Sequence, residues 1–142
     1  MKENIYSTLI YQLEETEKLG YNFESSWISY VLLEDRLLSI LRSTGGEHLP
    51  NGNEIRMMGP KIGHIKTRMS TNEILRGHLE VANLIPRIEV WKDKRNVLMH
   101  SMADGSMSIQ QIESDIAILA KDGTTLVRDF ASAARRIKKH KK

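Results

Sequence analysis

The stretch SIQQIESDIAILAKDGTTLVRDFASAARRI, residues 108–137, carries the cleanest pattern in the chain. Ile109, Ile112, Ile116, Leu119, Gly123, Leu126 or Val127, Phe130, Ala134 and Ile137 recur at three- and four-residue spacing. That spacing lines up one apolar face of an α-helix. It predicts a last helix starting near Ser108 and running beyond about 25 residues. Gly123 inside it costs roughly 1 kcal/mol against Ala, so it marks either a weak point or a place of close packing.

The same period extends back through the chain. Ile5, Tyr6, Leu9 and Leu13 predict a first helix over residues 3–19, stopped by Gly20. Ser25 or Ser26 reads as the cap of a second helix reaching Ser43, where Gly45-Gly46 ends it. Residues 44–59 hold four glycines and Pro50 and read as a long mobile loop. Residues 60–69 suggest a short helix. A third helix begins after Ser70-Thr71-Asn72 and should kink or restart at Pro86, continuing to about Ser101. Ala103-Asp104-Gly105 reads as a turn. No strand alternation or internal repeat is visible. Four or five helices with mostly short links predict an all-α fold, an antiparallel up-down bundle forming one domain over residues 1–142.

Composition bounds the function. The chain's 142 residues match one domain, long enough for a hydrophobic core. There is no cysteine, which excludes disulfides, iron–sulfur clusters and thiolate zinc sites and fits a cytoplasmic protein. No apolar run approaches the roughly 20 residues of a membrane span, so no membrane partner is expected. The net charge of +3 is concentrated at the end, in Arg135-Arg136-Ile137-Lys138-Lys139-His140-Lys141-Lys142. The basic tail over 138–142 suits a polyanion, or is simply a solvated terminus. The five histidines show no paired metal-ligand spacing, so no metal or other cofactor is expected. Gly59-Pro60-Lys61-Ile62-Gly63 lacks the register of a phosphate loop.

Two charges interrupt apolar seams. Leu84, Ile88, Trp91, Arg95, Leu98 and Met102 share one seam, and Trp27, Val31, Glu34, Leu38 and Leu41 share another. A charge in such a seam needs a partner. Arg95 and Glu34 are therefore expected to pair, with Asp35 as the other carboxylate in reach. Trp27, Val31, Leu38, Trp91, Leu98, Ile116 and Phe130 are expected in the core or a dimer interface. Next to Arg95 lie Asn96 and His100, four residues apart and so on one helix face, with Asp93 on that face too. Arg95 projects about 140° away from His100 on ideal geometry. The spacing permits a joint site without forcing one.

The string Arg95-Asn96-Val97-Leu98-Met99-His100 resembles the Arg-x(4–6)-His signature of HEPN domains, in which a polar residue follows the Arg. The helical layout over roughly residues 3–138 is similar as well. Glu34 or Asp35 resembles the acidic residue that many members carry in an earlier helix. The resemblance implies a metal-independent endoribonuclease, of the toxin or antiphage-defence kind, dimerised so that two motifs line one cleft. It implies RNA as substrate, a possible antitoxin protein as partner and no cofactor. His100 would move a proton to or from the RNA, Arg95 would hold the scissile phosphate, and Asn96 would position phosphate or imidazole. Glu34 or Asp35 would orient Arg95. Lys92 and Lys94, with Arg135, Arg136, Lys138 and Lys139, are the cations expected to meet the RNA backbone. In one branch of the family a Tyr follows the His by two and is modified; Met102 stands there. Catalytically silent members also exist, so a binding module for a partner protein or nucleotide stays open.

Overall fold

The structure is a computed structural model that describes residues 2–140. The described residues form six helices: α1 (Lys2–Leu19), α2 (Asn22–Ser43), α3 (Met58–Met69), α4 (Glu73–Glu80), α5 (Leu84–Asp104) and α6 (Ile109–Lys139). Outside them the one piece of β-pairing is an isolated antiparallel bridge, His48 to Glu54. The all-α expectation holds, with six helices in place of four or five. The extra helix arises because the break falls before Pro86. Asn83 takes a left-handed φ of 54°, and its N–H reaches Glu80 O at 3.1 Å. Pro86 then sits in the first turn of α5, where its missing N–H has no intrahelical acceptor to lose. No helix is long and apolar enough to cross a membrane among the described residues. Helix α6 runs on through Lys139, so Lys138 and Lys139 are helical rather than part of a loose tail. Lys141 and Lys142 lie outside the described residues.

The chain divides into two compact units. One comprises the chain up to Leu32 together with Ile88–Leu126. In it α1 and α2 form a helical hairpin. Gly20 adopts φ 73°, and the Tyr21 N–H returns to Thr16 O at 2.9 Å, closing α1. Helix α2 starts immediately, at Asn22, so Ser25 and Ser26 are not its caps. Both are buried within the helix, and the Ser25 hydroxyl donates to Thr16 Oγ1 at 2.9 Å. Helices α5 and α6 are joined through Gly105, at φ 71°, and Ser108 caps α6 by accepting from the Gln111 N–H. The Trp91 indole N–H donates to Leu119 O at 2.9 Å. Gly123 explains itself here as close packing. A Cβ built on it would stand 2.9 Å from Trp91 Cζ2 and 3.1 Å from Ser29 Cβ.

The other unit comprises Leu33–Arg87 and Val127–Lys142. Leu33, Leu37, Ile40 and Leu41 of α2 are fully buried, as is Phe130 of α6. The glycine-rich segment after α2 is folded. Gly45 turns at φ 76°, the Leu49 N–H reaches Asn53 O at 2.8 Å, and Ile55 is buried. Arg68 donates to Thr44 O from α3. Asn72 caps α4 by accepting from the Leu75 N–H at 3.0 Å. Arg87 bridges to Asp129 at 2.8 Å.

Of the residues expected in the core or a dimer interface, Trp91, Leu98, Ile116 and Phe130 lie in the core, whereas two residues of α2 do not. Trp27 is 71% exposed and Val31 37%, while Leu38 is half-buried. The buried face of α2 runs instead through Ser25, Ser26, Ser29, Leu32, Leu33 and Leu37. Ser29 on this face lies against Gly123.

Gly123→Ala tests this contact. Helix propensity favours Ala by about 1 kcal/mol, but displacing Trp91 or Ser29 costs about 1–3 kcal/mol. We expect a net loss of about 1 kcal/mol, read as a lower urea midpoint at unchanged slope. A midpoint above wild type would contradict the close packing.

Candidate functional site

Arg95, Asn96 and His100 lie on α5 in the unit that contains Trp91 and Tyr30. The helix buries Ile88, Trp91 and Leu98 and turns Asn96 and His100 out to solvent. Arg95 flanks the buried stripe and is half-buried. Its guanidinium carbon lies 4.2 Å from the centroid of the Tyr30 ring, well inside cation–π range. Tyr30 is in turn tilted against Trp91, with ring centroids 6.5 Å apart. Arg95 takes no part in the ion pairs found among the described residues. A ring face attracts the cation without using the N–H donors at the edge of the guanidinium plane. Those donors remain suited to a bidentate oxyanion.

The two carboxylates expected to orient Arg95 have other partners. Glu34 Oε1 accepts from Lys61 Nζ at 2.8 Å, and Asp35 accepts from Arg36 Nε at 3.1 Å. Lys61 is the more buried partner, its side chain 6% exposed against 31% for Glu34. The rule that a seam carboxylate needs a cation is obeyed, but the cation comes from α3. Sequence reasoning missed Lys61 although the signal was present. It interrupts the apolar spacing of Met58, Ile62 and Ile65, as Arg95 interrupts its own seam. Tyr30 carries no charge, so no pairing rule in the sequence points from Arg95 to it.

Around His100 the groups are sparse. Asp104, one turn on, is held below the usual carboxylate range by hydrogen bonds from Ser106, with a smaller contribution from the His100 charge. Asp93 is exposed and lies 3.7 Å from Lys92 Nζ. None of Arg95, Asn96 and His100 hydrogen-bonds another among the described residues, so one copy presents Asn96 and His100 on one flank of α5 and Arg95 on another. Lys92 shares the Arg95 flank, about 60° round the helix by ideal geometry. Lys94 lines a groove of about 560 Å³ between α5 and α6, walled by Val90, Val97 and Ile118 and edged by Asp93, Asp115 and Asp122. Arg135, Lys138 and Lys139 are exposed on α6 and Arg136 half-exposed, in the other unit. In that unit the His78 and His140 rings also meet, tilted by 41° with centroids 5.1 Å apart. Desolvation, followed by the His140 and Arg136 charges, holds His78 below its usual range. No cluster of three or more potential metal-ligating His, Asp or Glu side chains occurs among the described residues. No family model, curated protein or solved structure matches the chain.

The Glu34–Lys61 pair predicts an asymmetry. Glu34→Ala strands a buried ammonium and should cost about 3 kcal/mol. Lys61→Met fills the same space and leaves a carboxylate that water still reaches, so about 1 kcal/mol is expected. Urea unfolding of both variants measures this. A larger loss for Lys61→Met would overturn it.

Proposed function

We propose that this chain is a metal-independent endoribonuclease of the HEPN type, an antiparallel helical bundle that works as a homodimer in the cytoplasm, probing RNA with Arg95, Asn96 and His100. The observation that supports the reading best is the state of Arg95. It rests on an aromatic ring, paired with no carboxylate among the described residues, and it stands five residues before an exposed imidazole. Arg95 takes the scissile phosphate and stabilises the charge that builds on it. His100 takes the proton of the attacking 2′-hydroxyl, or gives one to the departing 5′-oxygen. Asn96, on the His100 face, positions phosphate or imidazole. The bond from the 2′-oxygen to phosphorus forms as that to the 5′-oxygen breaks, leaving a 2′,3′-cyclic phosphate and a 5′-hydroxyl. Arg95 and His100 leave α5 in different directions. A second copy across a two-fold axis supplies a second Arg95 and His100, so that both protons and the phosphate are served in one cleft. Tyr30 replaces Glu34 and Asp35 as the group that orients Arg95. A toxin or antiphage role, with an antitoxin partner, follows from the resemblance.

The α5–α6 groove favours a second reading, a catalytically silent module that takes an apolar segment of a partner between Val90, Val97 and Ile118.

The two readings separate on His100→Ala. The imidazole is exposed, so the variant should fold with unchanged stability and lose RNA cleavage by at least about 100-fold, with chelator making no difference to wild type. Labelled single-stranded RNA and tRNA, incubated in EDTA, provide the assay. Equal cleavage by both proteins would place the activity elsewhere, and no cleavage by either would favour the module.

A further inference from the structure

We propose that Trp27, with Phe23 one turn before it, is a base-stacking platform for single-stranded RNA whose phosphate is held by Arg95. The proposal rests on the ribonuclease reading and adds to it how the strand is gripped.

Phe23, Trp27 and Tyr30 follow four- and three-residue spacing on α2, within about 60° of one another around the helix. Tyr30 is half-buried under Arg95, whereas Trp27 is 71% exposed and Phe23 46%. An indole exposed to that extent contributes little to the core among the described residues. Buried serines occupy the inner face of α2, so the aromatics are turned outward by the fold rather than left over from a loose core. The Arg95–Tyr30 contact ties this stripe to the cationic flank of α5, which also carries Lys92. Cations that meet phosphates beside aromatic faces that meet bases are the two elements of single-strand binding. The stripe is aromatic where it is most exposed, and every base has a face that stacks on such a ring.

The chain has two tryptophans, and Trp91 is buried with its N–H bonded, so quenching by a ligand reports Trp27. The probe is a short mixed-sequence 2′-O-methyl RNA, which keeps the bases and lacks the nucleophile. Titration into the full chain should quench the emission. Trp27→Leu should abolish the quench and weaken binding about 5- to 100-fold, while Trp27→Phe should retain most of the affinity. Unchanged emission, with Trp27→Leu binding as tightly as wild type, would overturn the proposal. So would a Trp27→Leu variant that sediments as a monomer where wild type is a dimer and binds the probe unchanged, since the stripe would then be an interface between copies. Cleavable RNA run in parallel keeps the two readings apart. Quenching and the affinity loss without any cleavage would uphold the platform and sink the nuclease; cleavage lost in His100→Ala but unaffected by Trp27→Leu, with no quench, would do the reverse.

Discussion

The contact of Gly123 with Trp91 and Ser29 decides how the unit that carries the motif is built. Any side chain at 123 would collide with the indole or with Ser29 Cβ. The indole is not free to yield, because its N–H is bonded to Leu119 O. One small residue therefore sets the register of α5 on α6 and draws the serine side of α2 inward. Two consequences follow from that choice. Trp27 is turned out to solvent, and Tyr30 comes to lie beneath Arg95. The exposure of Trp27 and the posture of the arginine share one cause.

Two cations interrupt apolar seams, and their different chemistry gives them different fates. Lys61 is a compact ammonium with a strongly held hydration shell, and burial leaves it dependent on the Glu34 carboxylate. It is spent on structure. Arg95 has a delocalised, weakly hydrated plane that an aromatic face can hold. Because the ring engages the face and not the edge, the donors stay available. An arginine locked to a carboxylate would offer fewer free donors, and Arg95 is not held in that way by Glu34.

Helix positions were legible because a three-to-four-residue period survives local irregularities, and α6 was legible nearly to its ends. The seam through Ile88, Trp91 and Leu98 was legible for the same reason. Helix α2 was not, because apolar residues lie on almost all its sides. Periodicity cannot choose between two such faces, and the choice was made by small buried serines facing a glycine on another helix. Pro86 was read as a break, but proline is harmless in a first turn, and Asn83 supplied the break three residues earlier. For the site, the residue types Arg95, Asn96 and His100 were readable, while their support was not. A partner such as Tyr30 or Lys61 is a fact of tertiary proximity, and pairing by charge alone pointed to the wrong helix.

The central claim is that Arg95 holds a phosphate while His100 moves a proton, with the RNA's own 2′-oxygen as nucleophile. The most direct measurement is the chemistry of the ends produced in EDTA from an RNA bearing a single 2′-deoxy nucleotide at its preferred cleavage position. The account predicts 2′,3′-cyclic phosphate and 5′-hydroxyl ends on the all-ribose strand, and no cut at the deoxy position. Fragments carrying 5′-phosphate and 3′-hydroxyl ends, or a cut that ignores the missing 2′-hydroxyl, would contradict it.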